Sequence, residues 1–268
     1  MSEADEQTEP RTRESLAADL RRLGVRPGSV VLVHSSLSSL GWVCGGPVVV
    51  VQALLDVLGP AGTLVVPTHT GVNSDPAGWV NPPVPESWWP VIRAHMPPFD
   101  PALTPSTAVG IIPETVRNWP GAVRSDHPRT SFAALGARAK EVTADHRLDS
   151  GLGDESPLGR VYALDGDILL LGVGHGNNTS MHLAEYRTPE SPVAEHAAAV
   201  RTAAGEREWA TWTEIDVDSD DFTRLGADFD AAHHPSIGLV GSARCTLARQ
   251  REVVDFAVGW LKENRRRT

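Results

Sequence analysis

The chain has 268 residues, 41% of them apolar, and a formal charge of −10, which suits one large domain or two intimate subdomains around a buried core. The acidic balance, relieved only by a short basic tail at Arg265-Arg266-Arg267, argues against a nucleic-acid partner; it is met by solubility alone, and it also permits attraction of a cationic substrate. No apolar run nears the ~20 residues that span a bilayer, the N-terminus lacks the basic and apolar regions of a signal peptide, and Cys44 and Cys245 fit neither a disulfide framework nor a zinc pattern, so a reduced, cytoplasmic protein with no membrane partner is expected.

Residues 1–12, acidic and polar, read as a flexible tail ahead of a single domain over 13–268. Leu16, Ala17, Leu20 and Leu23 share one face of a helix predicted from Arg13 and ended by Gly24. Ser29 to Val33 reads as a buried strand, with His34-Ser35-Ser36-Leu37 at its C-terminal end. Pro47 to Leu58 reads as a helix stopped by Gly59-Pro60, and Gly62 to Val66 as a second strand. This order predicts an α/β unit with a parallel pair.

Between about 67 and 105 the chain turns rich in Pro and Trp, with Trp79, Trp88, Trp89, Pro82, Pro83 and Pro85. A stretch of this kind inside a domain marks a functional loop, and its tryptophans argue against disorder. They form either an apolar cluster under the loop or a wall facing substrate. A short helix is expected within Glu86 to His95. A helix over Ala108 to Asn118 is weakened by Pro113. Phe132 to Leu135 precedes a helix ending near Ala144, and Ser156-Pro157-Leu158 opens another. Asp167 to Val173 is the clearest strand, buried on both faces. Trp209 to Val217 alternates as an antiparallel strand with one solvated face, and a final helix covers about Arg249 to Lys262. The expected architecture is a three-layer α/β sandwich. Its central sheet is mixed but largely parallel and flanked by helices, with a small antiparallel portion near the C-terminus.

The chemistry concentrates in the run Gly172 to Arg187, which leaves the buried strand and opens a helix near Asn178. Ligands bind beyond the C-terminal edge of such strands. The glycines Gly172, Gly174 and Gly176 admit close backbone approach without matching the dinucleotide fingerprint. His182 and Glu185 are three apart, hence on one helical face. A histidine there serves as a general base with an acid holding its tautomer; a lone histidine is more often structural. His175 lies in the loop, its role less constrained.

The segment Asn178-Thr179-Ser180-Met181-His182-Leu183-Ala184-Glu185-Tyr186-Arg187, after Leu170-Leu171-Gly172-Val173-Gly174, closely resembles the signature of the aminoglycoside 3-N-acetyltransferase family, in its actinomycete branch. His34-Ser35-Ser36-Leu37, Pro67-Thr68-His69-Thr70, Trp88-Trp89, Phe99-Asp100-Pro101 and Ser156-Pro157-Leu158-Gly159 resemble its other blocks in order, over about 13–262. The resemblance departs at His175, where Tyr is expected, and at His69.

The resemblance implies acetyl transfer from acetyl-CoA to an amine of a cationic aminoglycoside, with no metal, by a monomer or homodimer. By analogy His182 is the base, and Glu214 and Asp216 form an acidic pair, one of which orients the imidazole; Glu185 competes for that role. His34, Ser35, Ser36, Leu37, Ser106, Thr107, Gly174 and Thr179 would contact the coenzyme. Asp75, Trp88, Trp89 and Asn178 would contact the amine substrate. The acidic run from Glu214 to Asp230 could face a polycation, although a solvated face explains most of it. An ammonium must lose a proton before it attacks a thioester, and an imidazole with an ordinary pKa of about 6.5 is suited to take it. The thioester is already activated, so direct transfer needs no protein nucleophile. Thr179 and backbone N–H groups are candidates for stabilising the oxyanion.

Three rival readings stand beside this one. The same chemistry could serve another amino metabolite in biosynthesis. A metal-dependent hydrolase could use His196, His233 and His234, without support from any His-x-x-x-His spacing. A non-catalytic binding module is the third.

Overall fold

The structure is a computed structural model that describes residues 9–265; most of the expected tail, together with Arg266 and Arg267, lies outside them. Residues 11 and 12 belong to the folded body rather than to a tail. Arg11 exchanges backbone bonds with Trp42 and Cys44, and Thr12 caps the first helix in a capping box with Ser15.

That helix, α1 (Arg13–Leu23), leads to β1 (Val30–Ser35), α2 (Gly46–Leu58) and β2 (Thr63–Pro67). The Pro/Trp-rich loop follows and carries the short α3 (Trp89–His95). Next come α4 (Ile111–Arg117), β3 (Val123–Arg124), β4 (Phe132–Gly136), α5 (Ala139–Thr143) and α6 (Pro157–Ala163). Pro113 sits in the first turn of α4, where its missing N–H costs nothing; the helix starts at Ile111 rather than Ala108 for that reason. The chain continues through β5 (Asp167–Leu171), α7 (Ser180–Tyr186), β6 (Val193–Arg201) and β7 (Arg207–Ile215). It ends with α8 (Phe222–His233), β8 (Ser236–Val240), β9 (Ala243–Arg249) and α9 (Gln250–Asn264).

Among the described residues, seven strands form one sheet in the order β3-β4-β2-β1-β5-β9-β8. The central strands β2, β1 and β5 run parallel, and antiparallel strands flank them on both sides. This is the mixed, helix-covered sheet that the alternation of strands and helices implied. Side chains alternate between its faces. Val31, Val33, Leu64 and Leu169 point to a core shared with α1, α2 and α4. Leu32, Val65, Ile168 and Leu170 point to one shared with α5 to α9.

The separate hairpin β6–β7 braces the Pro/Trp-rich loop. Ala199 O accepts from Phe99 N at 3.0 Å. The other end of the loop is fixed by Arg124, whose Nη2 donates to Thr68 O at 2.7 Å and whose Nη1 reaches Pro101 O and Thr104 O. Burial, then the nearby Arg117, lowers this guanidinium to about 10. One half-buried side chain therefore ties together the beginning and the end of the loop.

Candidate active site

The parallel strands β1, β2 and β5 end on one edge, and a cavity of about 570 Å³ opens there, as strand direction predicts for this class of sheet. Gly172, at φ 72°, turns the chain out of β5, and a Cβ at that position would lie 2.7 Å from Ser39 Cβ. The chain then crosses the cavity mouth to α7, which brings His182 to the wall. His34, Ser35, Ser36 and Leu37 come from the end of β1, Asn178 and Thr179 from the start of α7, and all of them line the same cavity.

His182 Nδ1 lies 2.6 Å from Glu185 Oε2. Glu185 is buried, and its other oxygen accepts from Asp218 N at 3.0 Å and from Arg265 Nη1. Arg265 also forms a bidentate pair with Asp221, and the bonds it donates to Asp221 and Glu185 raise its pKa. The imidazole rests on Phe222, ring centroids 4.7 Å apart. With Nδ1 bonded to a carboxylate, Nε2 is the nitrogen without a protein partner among the described residues. The carboxylate fixes the orientation of the ring and leaves Nε2 as the nitrogen free to meet a ligand in the cavity.

The other two acidic candidates stand elsewhere. Glu214 is buried, but its oxygens accept from Tyr186 Oη at 2.8 Å, Arg129 Nη1 and Gly151 N at 3.1 Å, and Trp212 Nε1 at 3.2 Å. Those four donors fill its lone pairs, so it does not orient His182. Asp216 is exposed and borders a second hollow behind Glu185.

The substrate contacts expected in the loop are not gathered at this cavity. The carboxylate of Asp75 is bonded bidentately by Arg93, at 2.9 and 2.8 Å, and by Ala77 N. It is an internal brace, not a free acceptor for an ammonium. Trp88 is 57% exposed; Trp89 stands beside Arg93. Neither ring lines the cavity. Ser106 is bonded to Glu114 and Thr107 to Gly71, so both flank the lining segment 108–111 without belonging to it. Gly174 lines a neighbouring hollow with His175 and Asp230. His175 is held there by Asp230 at 3.0 Å and packs so tightly on Gly226 that a Cβ would collide with it.

Several lining residues escaped sequence reasoning about the site, among them His69, Ser219 and Phe222. His69, seen as a departure in a motif, lines the cavity with an enclosed Nε2 that has no partner. Burial, then His34 and His182, pushes it down to about 3. Ser219 and Phe222 come from the segment dismissed as a charge run. The apolar spacing Phe222, Leu225, Phe229 was the signal, since all three are fully buried. Among the described residues no group of three or more histidines, cysteines or carboxylates could hold a metal. His196 lies beside Trp212, whereas His233 stacks on Phe229 at the end of α8.

The α/β fold thus holds an imidazole paired with a buried carboxylate at the edge of its parallel strands, an arrangement suited to proton transfer in an enzyme site. The model of the aminoglycoside 3-N-acetyltransferase family matches residues 32–262. The chain is 44% identical over 258 residues to the SPbeta prophage-derived aminoglycoside N(3')-acetyltransferase-like protein YokD of Bacillus subtilis, covering 96% of this chain and 94% of that one. The crystal structure of YokD superposes with a TM-score of 0.96 at 43% identity, covering 98% and 97% of the two chains. Aminoglycoside N(3)-acetyltransferase VII of Streptomyces paromomycinus is 38% identical, covering 95% and 92%. AAC-IIIb, solved as a binary complex with CoASH, superposes with a TM-score of 0.84 at 33% identity, covering 95% and 97%. The chain belongs to the aminoglycoside 3-N-acetyltransferase family.

Proposed function

We propose that this protein transfers the acetyl group of acetyl-CoA to the 3-amino group of a deoxystreptamine aminoglycoside, without a metal and in the cytoplasm. The observation that carries the reading is the 2.6 Å bond between Glu185 and His182 Nδ1 at the wall of a cavity. Family membership and the CoASH complex of AAC-IIIb support the choice of acyl donor.

In the reaction, His182 Nε2 takes a proton from the substrate ammonium. The freed nitrogen attacks the thioester carbonyl, its second proton passes to bulk water as the C–N bond forms, and the C–S bond breaks. The leaving thiolate receives a proton from the imidazolium that Glu185 stabilises. A base of this kind contributes about 10²–10⁴ in rate. Ser35, Ser36 and Leu37 at the end of β1 would hold the pantetheine side of the donor, and Asn178 the acceptor side. Thr179, three residues before His182, would face the carbonyl oxygen as it becomes an oxyanion.

Mass spectrometry of products from acetyl-CoA and a panel of deoxystreptamine compounds tests the reading. The expected product is a single acetyl group on the 3-amino nitrogen. Coenzyme binding without turnover of any compound would transfer the chemistry to another amino metabolite, and no coenzyme binding at all would remove it.

A further inference from the structure

Thr179 occupies the N-cap position of α7, yet its hydroxyl caps no amide of that helix. A threonine there ordinarily gives its oxygen to the first free N–H groups. Here the neighbouring Asn178 supplies the side-chain acceptor, its Oδ1 bonding Ser180 N at 3.2 Å. Thr179 Oγ1 turns instead to His34 Nε2, 3.2 Å away and 145 residues distant in sequence. Both residues line the cavity. Asn178 thus does the capping, Thr179 already has helical dihedrals (φ −61°, ψ −18°), and its hydroxyl is left for the long-range contact.

The state of His34 limits what the contact can be. Burial, then the adjacent His182, pushes its pKa down to about 3, so at neutral pH the ring has one N–H and one bare nitrogen. A neutral ring also adds no positive charge beside His182, which must itself become positive during proton transfer. Thr179 has one hydrogen to give. If the imidazole donates to Oγ1, that hydrogen is released from the contact and is available to the cavity, on the helical face that presents His182.

We infer that His34 is a positioning residue: its Nε2–H donates to Thr179 Oγ1 and so directs the threonine hydroxyl hydrogen at the thioester carbonyl oxygen as that oxygen becomes an oxyanion. The inference rests on the acetyl-transfer reading. No proton leaves either residue, and the bonds made and broken are those of the transfer itself. Thr179 touches the reacting atoms; His34 acts through it.

A double-mutant cycle of His34→Phe and Thr179→Val tests this. Each single change is expected to lower kcat by about 10²-fold, with KM for acetyl-CoA and for the amine within about threefold. The double variant should be no worse than the poorer single one, because both remove the same bond. His34→Gln, which keeps an amide N–H near the position of Nε2, should recover most of the loss. Nitrogen-15 NMR of histidine-labelled, substrate-free protein should show His34 protonated at Nε2 and bare at Nδ1 near neutral pH. Additive losses, or a bare Nε2, overturn the proposal. The NMR experiment needs no substrate, so it decides the direction of the bond even for a protein that acetylates nothing; that last result would remove the transferase reading.

Discussion

Glu185 and Glu214 are both buried carboxylates with an imidazole in reach, at 2.6 Å from His182 Nδ1 and 3.7 Å from His196 Nε2. Around Glu214, four other donors complete the coordination, and the stacked rings of His127 and His146 seal the neighbourhood. His127 accepts backbone amides from Arg129 and Thr130, and burial lowers its pKa well below the ordinary value. Around Glu185, the same kinds of group leave one imidazole nitrogen open at a cavity wall. An acid–histidine neighbourhood becomes a site for proton transfer only where its hydrogen bonding is left incomplete toward a space a substrate can enter. Completed on all sides, it becomes a cross-link between elements.

The contrast breaks first at His182. Its replacement by Ala should lower turnover by about 10²–10⁴ while leaving coenzyme affinity within about threefold, as calorimetry would show. Unaltered turnover would sink the assignment. The next test pairs the two acids. Glu185→Gln should lower kcat by about 10²–10⁴, the upper end being the known loss when the acid that orients a catalytic imidazole is made neutral, with little change in denaturation midpoint. Glu214→Ala should do the reverse, costing about 2 kcal/mol in urea unfolding. That is below the ~3–5 kcal/mol of a fully buried broken pair, because Arg129 reaches solvent. If both acids changed kcat alike, the division between them would be wrong.

The sealed and open histidines share a pH signature. His34 and His69 are held at about 3 and His146 at about 4, each chiefly by burial. Their folded pKa values lie below the unfolded ~6.5, so the unfolded chain binds more protons as pH falls through that window. Stability is therefore full above about 6.5 and is lost as pH falls toward 4. Each ring contributes on the order of 1 kcal/mol per pH unit. Unfolding midpoints measured between about pH 7 and 5, above the range where carboxylates titrate, should already decline; a flat profile would mean that these rings accept protons in the folded state. The smallest effects belong to the loop. Asp75→Asn should cost under about 1 kcal/mol as a partly exposed pair, and neither it nor Trp88→Ala should move KM for the amine more than about twofold.

Much of the fold was legible because β1, α2, β2 and β5 are apolar runs bounded by Gly and Pro. Of the later strands β7 was read, whereas β6, β8 and β9 were not. β9 mixes Arg, Cys and Thr, and its place is decided by pairing with β5; β8 is an edge strand with Ile237 and Leu239 exposed. Helix α8 was hidden because its aspartates drew attention from Phe222, Leu225 and Phe229. At the site, the spacing of His182 and Glu185 announced a shared face, but the choice among three acids was illegible. It depended on Arg129, Tyr186 and Trp212 converging on Glu214 from other elements. The pairing of Asp75 with Arg93 was missed for the same reason, since both lie in one loop whose path no periodicity describes.

The position read as the start of a basic tail has a larger consequence. Arg265, one residue past the last helix, grips the carboxylate that steers His182. A polypeptide stopped or clipped just ahead of it retains every strand and the imidazole, yet loses the guanidinium that fixes Glu185. Arg265→Ala should therefore lower kcat with little change in the unfolding midpoint, since the contact it removes lies at Glu185 and not in the sheet.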